Sequence, residues 1–412
     1  MLKLNSHKLF YLMFIFTFIV SDMVYASIVK VPVISRFNII YVIIFAFFLV
    51  INKRYVCSWK SMLLTILICH SFFVNLFTEN TLAQILGGFI LNYIPIYILC
   101  MKNKVLDSII PVITRLIKIF NIVMVLVVTR FILDIFLNDA IIQLEARIFS
   151  QVNEVYNAYQ SYGRLTSLMG NQMTCGQLFL YFYVMNEFYA LKFHKRLFSY
   201  PLTLLVALVG VAATASRGAI ILLFIAIVYF NSKGKNVSLK ITLTVGILSI
   251  ALGMGIFSNL FGRFVNEQSF TSGRLETVIY IFSHKLVDIK IFSGYGHNSM
   301  DSLAQYFGDI FGDYSGRTFY TAMEFPFFSY IVQYGVFNAA MTWFLLWGQF
   351  SLLKSWEIFV SITIIFAYAN CNTGLWSGRC VLPLYCIVVL ILLAIEKGAY
   401  INDSKKNILC DC

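Results

Sequence analysis

Apolar segments close to the length of a membrane-spanning helix recur along the whole chain, about twelve of them. A helix needs about 20 apolar residues to cross the hydrocarbon core of a bilayer, so each segment is a candidate span. Hydrophobic residues make up 60% of the chain and charged residues 12%, which excludes an ordinary soluble domain. The sequence therefore predicts an all-α fold, a polytopic membrane helix bundle in a single integral membrane domain over residues 1–412. The expected spans lie near residues 9–28, 37–52, 61–78, 82–101, 109–137, 172–191, 198–214, 218–231, 241–260, 325–350, 357–372 and 380–396.

The lysines of the short connections indicate how this bundle is oriented. When the N-terminus is placed in the cytoplasm, most of these lysines fall on the cytoplasmic face, as the positive-inside rule expects. The net charge of +12 then reflects membrane topology rather than binding of nucleic acid. We expect a multi-pass protein with both termini in the cytoplasm. The lysines concerned are Lys53, Lys102, Lys104, Lys192, Lys195, Lys233, Lys235, Lys240, Lys354, Lys397, Lys405 and Lys406.

The opposite, outer face carries mostly arginine. Its connections are short except for a first external loop at residues 138–171 and a large external loop at residues 261–324. A guanidinium group stays charged at every relevant pH, and its planar donors match the oxygens of phosphate and carboxylate. We therefore expect the outer face to bind an anion. Its arginines are Arg36, Arg147, Arg164, Arg217, Arg263, Arg274, Arg317 and Arg379.

Both external loops contain amphipathic helical patterns, in which apolar residues recur on one face of a helix. Such helices are expected to lie along the membrane surface or to cover the bundle. The apolar positions are Leu275, Val278, Ile279, Phe282 and Leu286 in the large loop and Ile141, Leu144, Ile148, Val152 and Val155 in the first loop.

Three ionisable residues, Asp22, His70 and Glu187, lie within or near the expected spans without an evident partner. Ionisable groups at membrane depth are costly, so they usually face the interior of a bundle or mark a functional pathway. The sequence predicts that these three side chains are isolated and turned inward, or that they lie at the interface.

The chain shows no pattern for a metal or redox site. Its nine cysteines are scattered without C-x-x-C spacing, and no pair of aspartates forms a D-x-D motif. The sequence therefore predicts no metal and no other cofactor.

Three short motifs on the outer face suggest a family. They are GRLTSLMGN at residues 163–171, SRGA at residues 216–219, and SGR at residues 272–274 followed by SGYG at residues 293–296. In this order, and with about twelve spans, they resemble the O-antigen polymerase and O-antigen ligase superfamily of bacterial inner-membrane glycosyltransferases. The resemblance extends over about residues 163–337. It implies a GT-C-like membrane protein that transfers sugar outside the membrane from a lipid diphosphate-linked glycan, with no nucleotide and no metal.

The resemblance and the chemistry together assign the arginines. A leaving diphosphate needs cationic donors, a task that arginine or a metal can perform. Because the sequence offers arginine and no metal motif, Arg217 and Arg274, together with Arg164, are expected to bind the diphosphate. The structural alternative is that Arg217 anchors a helix end in lipid head groups.

The acceptor hydroxyl needs a general base. In the ligases, a His-Asn pair begins a segment that ends eleven residues later in a glycine at the start of a span. The residue eleven before Gly335 in this chain is Glu324, which favours a polymerase and makes Glu324 the first candidate base. The second candidate is His297, which begins a His-Asn pair directly after the SGYG motif.

The leading hypothesis is an O-antigen polymerase that joins undecaprenyl-diphosphate-linked repeat units at the periplasmic face of the bacterial inner membrane. Its expected partners are these lipid-linked glycans, membrane lipid and a chain-length regulator. The alternatives are an O-antigen ligase, which transfers glycan to lipid A-core, a lipid-linked glycan flippase or other transporter, and a non-catalytic scaffold of an envelope assembly complex.

Overall fold

The fold was described from a computed structural model, which covers residues 5–18, 39–76, 78, 81–148, 165, 172–233, 237–253, 274–297, 299, 303, 306, 326–371 and 381–410. Within these ranges the chain forms helices joined by turns and extended connections, without a strand. The helices are α1 (Ser6–Phe18), α2 (Ile39–Ile51), α3 (Lys53–Val56), α4 (Trp59–Leu76), α5 (Leu82–Cys100), α6 (Ile110–Phe136), α7 (Ala140–Ile148), α8 (Gln172–Phe193), α9 (Tyr200–Thr214), α10 (Arg217–Ser232), α11 (Val237–Gly253), α12 (Arg274–Ser283), α13 (Pro326–Leu346), α14 (Trp356–Cys371) and α15 (Val381–Cys410).

Each expected span overlaps one of these helices, so the all-α prediction is confirmed for the described residues. Among the described residues, three helical stretches are long and apolar enough to cross a membrane by length and composition, namely Trp59–Leu76, Ile110–Phe136 and Val381–Ile401. Shorter apolar helices include α9, α10 and α14. The count of twelve spans and the GT-C-like architecture stay predictions.

Helix α8 forms the centre of the bundle. All of its side chains from Thr174 to Tyr189 are buried, and it contacts α6, α9, α10, α14 and α15. Its buried polar residues, among them Gln177, Asn186 and Glu187, explain this central position, because polar side chains in a membrane bundle turn to the interior. Its polar Asn186 exchanges two hydrogen bonds with Asn121 of α6, at 2.7 and 2.8 Å. Paired amides of this kind hold helices together inside an apolar bundle.

Several helix ends meet at one end of the bundle, which we call the basic end. The Oγ atoms of Ser6 in α1 and Ser108 before α6 are 3.1 Å apart, and Lys397 Nζ of α15 lies 2.8 Å from Asp107 Oδ1. The sequence assigned these connections to a common face, and the contacts bring them together. Which side of the membrane this end faces stays a prediction.

Glu187 is not isolated, so this part of the sequence prediction is wrong. Its carboxylate accepts two hydrogen bonds from Arg196, at 2.5 and 2.8 Å, and Lys240 Nζ lies 4.0 Å away. At the same end, Lys192 of α8 pairs with Glu396 of α15 at 2.7 Å. The ion pair with Arg196 ties the end of α8 to the connection that follows it, which is a structural role.

Removal of this pair gives the first testable prediction. In an Arg196→Met variant the Glu187 carboxylate, whose side chain is 1% exposed, keeps only the more distant Lys240. Leaving a buried charge without its partner costs about 3 kcal/mol. We expect a correspondingly lower midpoint for unfolding of the purified protein by SDS in mixed micelles.

The matched control is Lys397→Met. The ion pair of Lys397 with Asp107 has side chains that are 29% and 55% exposed, and exposed pairs contribute at most about 1 kcal/mol. Equal destabilisation by the two variants would contradict the structural role assigned to the Glu187 pair.

Candidate functional site

Helix α13 is broken at Gly335, which has a φ of 85°. A left-handed φ is accessible to glycine at little cost because glycine has no Cβ. The break removes two hydrogen bonds that a continuous helix would make, from the N–H groups of Val336 and Phe337 to the carbonyls of Val332 and Gln333. Four backbone polar groups therefore need other partners.

An extended segment of the large external loop provides all four partners, and we call residues 290–297 the strap. The N–H groups of Val336 and Phe337 donate to strap carbonyls at 3.1 and 2.9 Å. The N–H groups of Tyr295 and Gly296 donate to the carbonyls of Val332 and Gln333 at 2.9 and 3.0 Å. The strap thus completes the broken helix, and it carries the SGYG motif of residues 293–296 into the bundle.

The motif needs glycine at position 294 for steric reasons. A Cβ at Gly294 would overlap the carbonyl oxygen of Gln333, which belongs to the backbone and cannot move aside. The two glycines, Gly294 in the strap and Gly335 in the helix, therefore allow the two backbones to approach closely. This gives a physical reason for a motif that the sequence offered only as a resemblance.

The strap is also anchored to α4. The Nε2 atom of His70 lies 2.6 Å from the carbonyl oxygen of Phe292, and Asn338 Nδ2 lies 3.0 Å from His70 Nδ1. A carbonyl can only accept and an amide NH2 can only donate, so these contacts fit the imidazole tautomer that carries its hydrogen on Nε2. His70 therefore has partners on both ring nitrogens and joins α4, α13 and the strap.

A buried polar network continues from Asn338 along α13. The Tyr330 hydroxyl donates to Asn338 Oδ1 at 3.0 Å and lies 3.2 Å from the hydroxyls of Thr342 and Tyr93. These side chains are at most 1% exposed. Because the network is satisfied internally, it stabilises the contact between α5 and α13.

His297 ends the strap and is held by two helices. Its backbone N–H donates to Asn75 Oδ1 of α4 at 2.7 Å, and its Nδ1 atom lies 2.9 Å from the Tyr334 hydroxyl of α13. Burial lowers the pKa of the His297 imidazole from its ordinary value of 6.5, because desolvation disfavours the charged form. The ring is therefore mainly neutral at pH 7, as a general base must be.

Arg217 is the first residue of α10 and is 7% exposed. The turn before it contains Ala215 in the left-handed region, with a φ of 48°. The Ser216 hydroxyl lies 2.9 Å from that of Tyr368 in α14, and Tyr368 donates to the carbonyl of Met173 in α8 at 2.9 Å. The SRGA motif is thus the N-terminal end of α10, which follows a tight turn and whose position is set by contacts with α8 and α14.

The electrostatics of this turn favour an anion. The N-terminus of a helix carries a partial positive charge, so it is the unfavourable end for an arginine and the favourable end for phosphate or carboxylate. Burial of the Arg217 guanidinium at the start of α10 adds a full charge to the same place. The combined positive potential is suited to a bound diphosphate.

Arg217 and His297 lie at the end of the bundle away from the basic end. Helix α9 runs away from the Arg196 pair and leads into Arg217. Helix α4 starts next to Cys100, at the basic end of α5, and Asn75, the partner of His297, lies near its far end. The sequence assigned both residues to one face, and the helix directions agree.

The other assigned residues are less defined. Arg164 and Glu324 lie outside the described residues, as does Asp22. Arg274 begins helix α12, and the placement of its side chain is not described. Their roles stay predictions, as does the choice between Glu324 and His297 as the base.

Helix α12 confirms the predicted helix in the large loop, and part of its predicted apolar face contacts α13. Val278 packs there together with Ile281, and the Phe282 ring lies edge-on to Phe328 of α13, whereas Leu275 and Ile279 are 44% and 58% exposed. In α7 of the first loop, Leu144 of the predicted face is exposed, whereas Ile142 is buried. The exposed apolar side chains suit a helix that lies against lipid.

The residues that hold the strap were not identified from the sequence. Asn75 and Tyr334 resemble ordinary polar residues near the ends of spans, and Tyr368 resembles an aromatic residue of the membrane interface. The sequence signals that pointed to this place were the glycine spacing before Gly335 and the SGYG motif followed by His297. Among the described residues, no group of three or more His, Cys, Asp or Glu side chains could hold a metal ion.

The chain matches no protein-family model, no curated protein and no solved structure. The family resemblance therefore rests on the motifs, and function has to be argued from the two motif sites that the structure describes.

The close contact between strap and helix gives the second prediction. In a Gly294→Ala variant the added Cβ collides with the Gln333 carbonyl, so the strap cannot keep its four backbone hydrogen bonds. We expect a lower thermal unfolding midpoint in detergent and faster proteolysis within residues 286–297. Gly246→Ala is the matched control, because a Cβ there meets nothing within 4 Å and alanine is the better helix former. Equal behaviour of the two variants would show that the strap does not depend on Gly294.

Proposed function

We propose that this chain is a metal-independent membrane glycosyltransferase, an O-antigen polymerase. It joins oligosaccharide repeat units carried on undecaprenyl diphosphate at the periplasmic face of the bacterial inner membrane. The growing glycan on one carrier is the donor, and a single lipid-linked unit is the acceptor. The observation that carries this proposal is the buried Arg217 guanidinium at the N-terminus of α10, held in a turn that matches the SRGA motif.

The reaction needs charge stabilisation and proton removal. The acceptor oxygen attacks the anomeric carbon of the donor, and the bond from that carbon to the diphosphate oxygen breaks with its electron pair on the diphosphate. Arg217, with Arg274 and Arg164, stabilises the negative charge that develops on the leaving group. The proton of the acceptor hydroxyl passes to Glu324 or His297. The products are a longer lipid-linked glycan and free undecaprenyl diphosphate.

His297 has the geometry of a general base among the described residues. Its imidazole is partly exposed, is mainly neutral at pH 7 and has Nδ1 engaged by Tyr334. When Nδ1 carries the hydrogen, the lone pair of Nε2 can accept a proton from a hydroxyl.

A transporter is the second candidate, and the broken helix α13 favours it. Discontinuous helices in transporters often leave backbone groups that bind the substrate near the bilayer midplane. In this chain the strap satisfies those groups, and the neighbouring polar network of Tyr93, Tyr330 and Asn338 is satisfied internally. The break therefore serves to hold the strap, which supports the polymerase over the transporter.

The third prediction tests the role of Arg217 in cells. A strain that carries Arg217→Ala in place of the wild-type protein is expected to lose the ladder of long glycans on lipopolysaccharide and to keep a single repeat unit. The reason is that the diphosphate leaving group loses its buried counter-charge. The measurement is gel electrophoresis of lipopolysaccharide, with immunoblots to show equal amounts of protein in the membrane.

Arg115→Ala is the matched control, because Arg115 is exposed on α6 and lies over the Tyr11 ring. This strain should show the wild-type ladder. A wild-type ladder with Arg217→Ala would contradict the proposal. If deletion of the gene removes the single repeat unit as well as the longer glycans from lipopolysaccharide, the protein is a ligase instead.

A further inference from the structure

We propose that Tyr334 is a positioning residue for His297, whose imidazole it holds through Nδ1 so that Nε2 takes the proton of the acceptor hydroxyl. This inference rests on the proposed function, and it selects His297 over Glu324 as the general base.

The helix break itself sets the register of this pair. Tyr295 is hydrogen-bonded to Val332, and Gly296 to Gln333. The next strap residue, His297, donates its N–H to Asn75 of α4 instead, and its side chain meets the next residue of α13, Tyr334. The backbone that completes the broken helix therefore places the imidazole beside the phenol.

The side chains of His297 and Tyr334 are in direct contact. The Tyr334 hydroxyl lies 2.9 Å from His297 Nδ1, and the two ring planes differ by 28° with their centroids 6.4 Å apart. Tyr334 is 2% exposed, so burial restricts its own movement. A packed phenol with its hydroxyl on Nδ1 fixes the orientation of the imidazole.

Asn75 fixes the backbone of the same residue. Its Nδ2 atom donates to the carbonyl of Ser71 at 2.7 Å, which orients the amide so that Oδ1 accepts from the His297 N–H at 2.7 Å. With the backbone held from α4 and the ring held from α13, His297 is attached on two sides. Nε2 is then the ring nitrogen that remains for a substrate.

The chemistry follows from the tautomer. With the hydrogen on Nδ1 and donated to the Tyr334 oxygen, Nε2 accepts the acceptor proton and the ring becomes an imidazolium ion. The phenol oxygen then stabilises the positive charge, as the third group of a catalytic triad does. Tyr334 is the titratable group that contacts His297 from α13. Its contact from α4 is Asn75, which carries no charge. The strap itself contributes one charged side chain, Lys290, whose Nζ lies over the Tyr295 ring.

A Tyr334→Phe variant of the full chain in lipid nanodiscs tests this role. The substitution keeps the ring and removes only the oxygen that stabilises the imidazolium ion. The rate of glycan transfer at saturating acceptor is expected to fall by about 10-fold or more, with little change in KM. The acid limb of the pH–rate profile should move to lower pH, because the charged form of His297 is less stable without the phenol.

A second readout does not require activity. Diethyl pyrocarbonate reacts with neutral imidazole, so the pH dependence of His297 modification, followed by mass spectrometry of the peptide, reports its protonation. We expect the midpoint in Tyr334→Phe to lie at lower pH than in the wild type. Tyr330→Phe is the matched control, since the same change one turn earlier removes a hydroxyl bonded to Asn338 and should leave the midpoint unchanged.

The outcomes separate this inference from the proposed function. An active wild type with unchanged rate and midpoint in Tyr334→Phe overturns the role of Tyr334 alone. Full activity of His297→Gln also overturns it and leaves the polymerase with Glu324 as its base. A wild type that transfers no glycan overturns the proposed function together with this role.

Discussion

Backbone polar groups within a membrane protein have to find partners inside the protein, because lipid offers none. The break of α13 at Gly335 would leave two N–H groups and two carbonyls without partners, and the strap supplies all four. This single constraint explains why a segment of the external loop enters the bundle. It also explains why position 294 is glycine and why His297 lies opposite Tyr334.

The second motif depends on a different constraint, the energetic cost of burying a charge. Arg217 is buried at the end of α10 where the helix dipole opposes a cation. A guanidinium at this helix end adds to the positive end of the helix dipole, and the proposed function assigns this site to a diphosphate. The contact of the Ser216 hydroxyl with Tyr368 of α14, and the hydrogen bond from Tyr368 to Met173 of α8, hold this helix end in place. Under the proposed function, the two motif sites would supply a counter-charge and a base at one end of the bundle.

The helices could be predicted from the sequence because each depends on a local run of apolar residues. Their contacts could not, because they depend on partners far away in the chain. Glu187 was expected to be isolated, yet it pairs with Arg196, nine residues further on and beyond the end of α8. Leu275, Val278 and Ile279 share a predicted apolar face, yet of these three only Val278 packs against α13, together with Ile281 from outside that face.

The residues of the candidate site also divide into those that the sequence identified and those that it did not. Arg217 could be selected from a four-residue motif, and His297 from its place after SGYG. Asn75 and Tyr334 could not, since they contact His297 across sequence separations of 222 and 37 residues. Such contacts arise from the register between strap and broken helix, which has no signature in a single sequence beyond the two glycines.

The most direct test of the account is reconstitution. The purified protein would be placed in liposomes with lipid-diphosphate-linked repeat units extracted from the same bacterium after deletion of this gene, with a chelator present. The account predicts a ladder of longer lipid-linked glycans and release of one free undecaprenyl diphosphate for each new linkage. Unchanged single units, with no release of the lipid diphosphate, would contradict it.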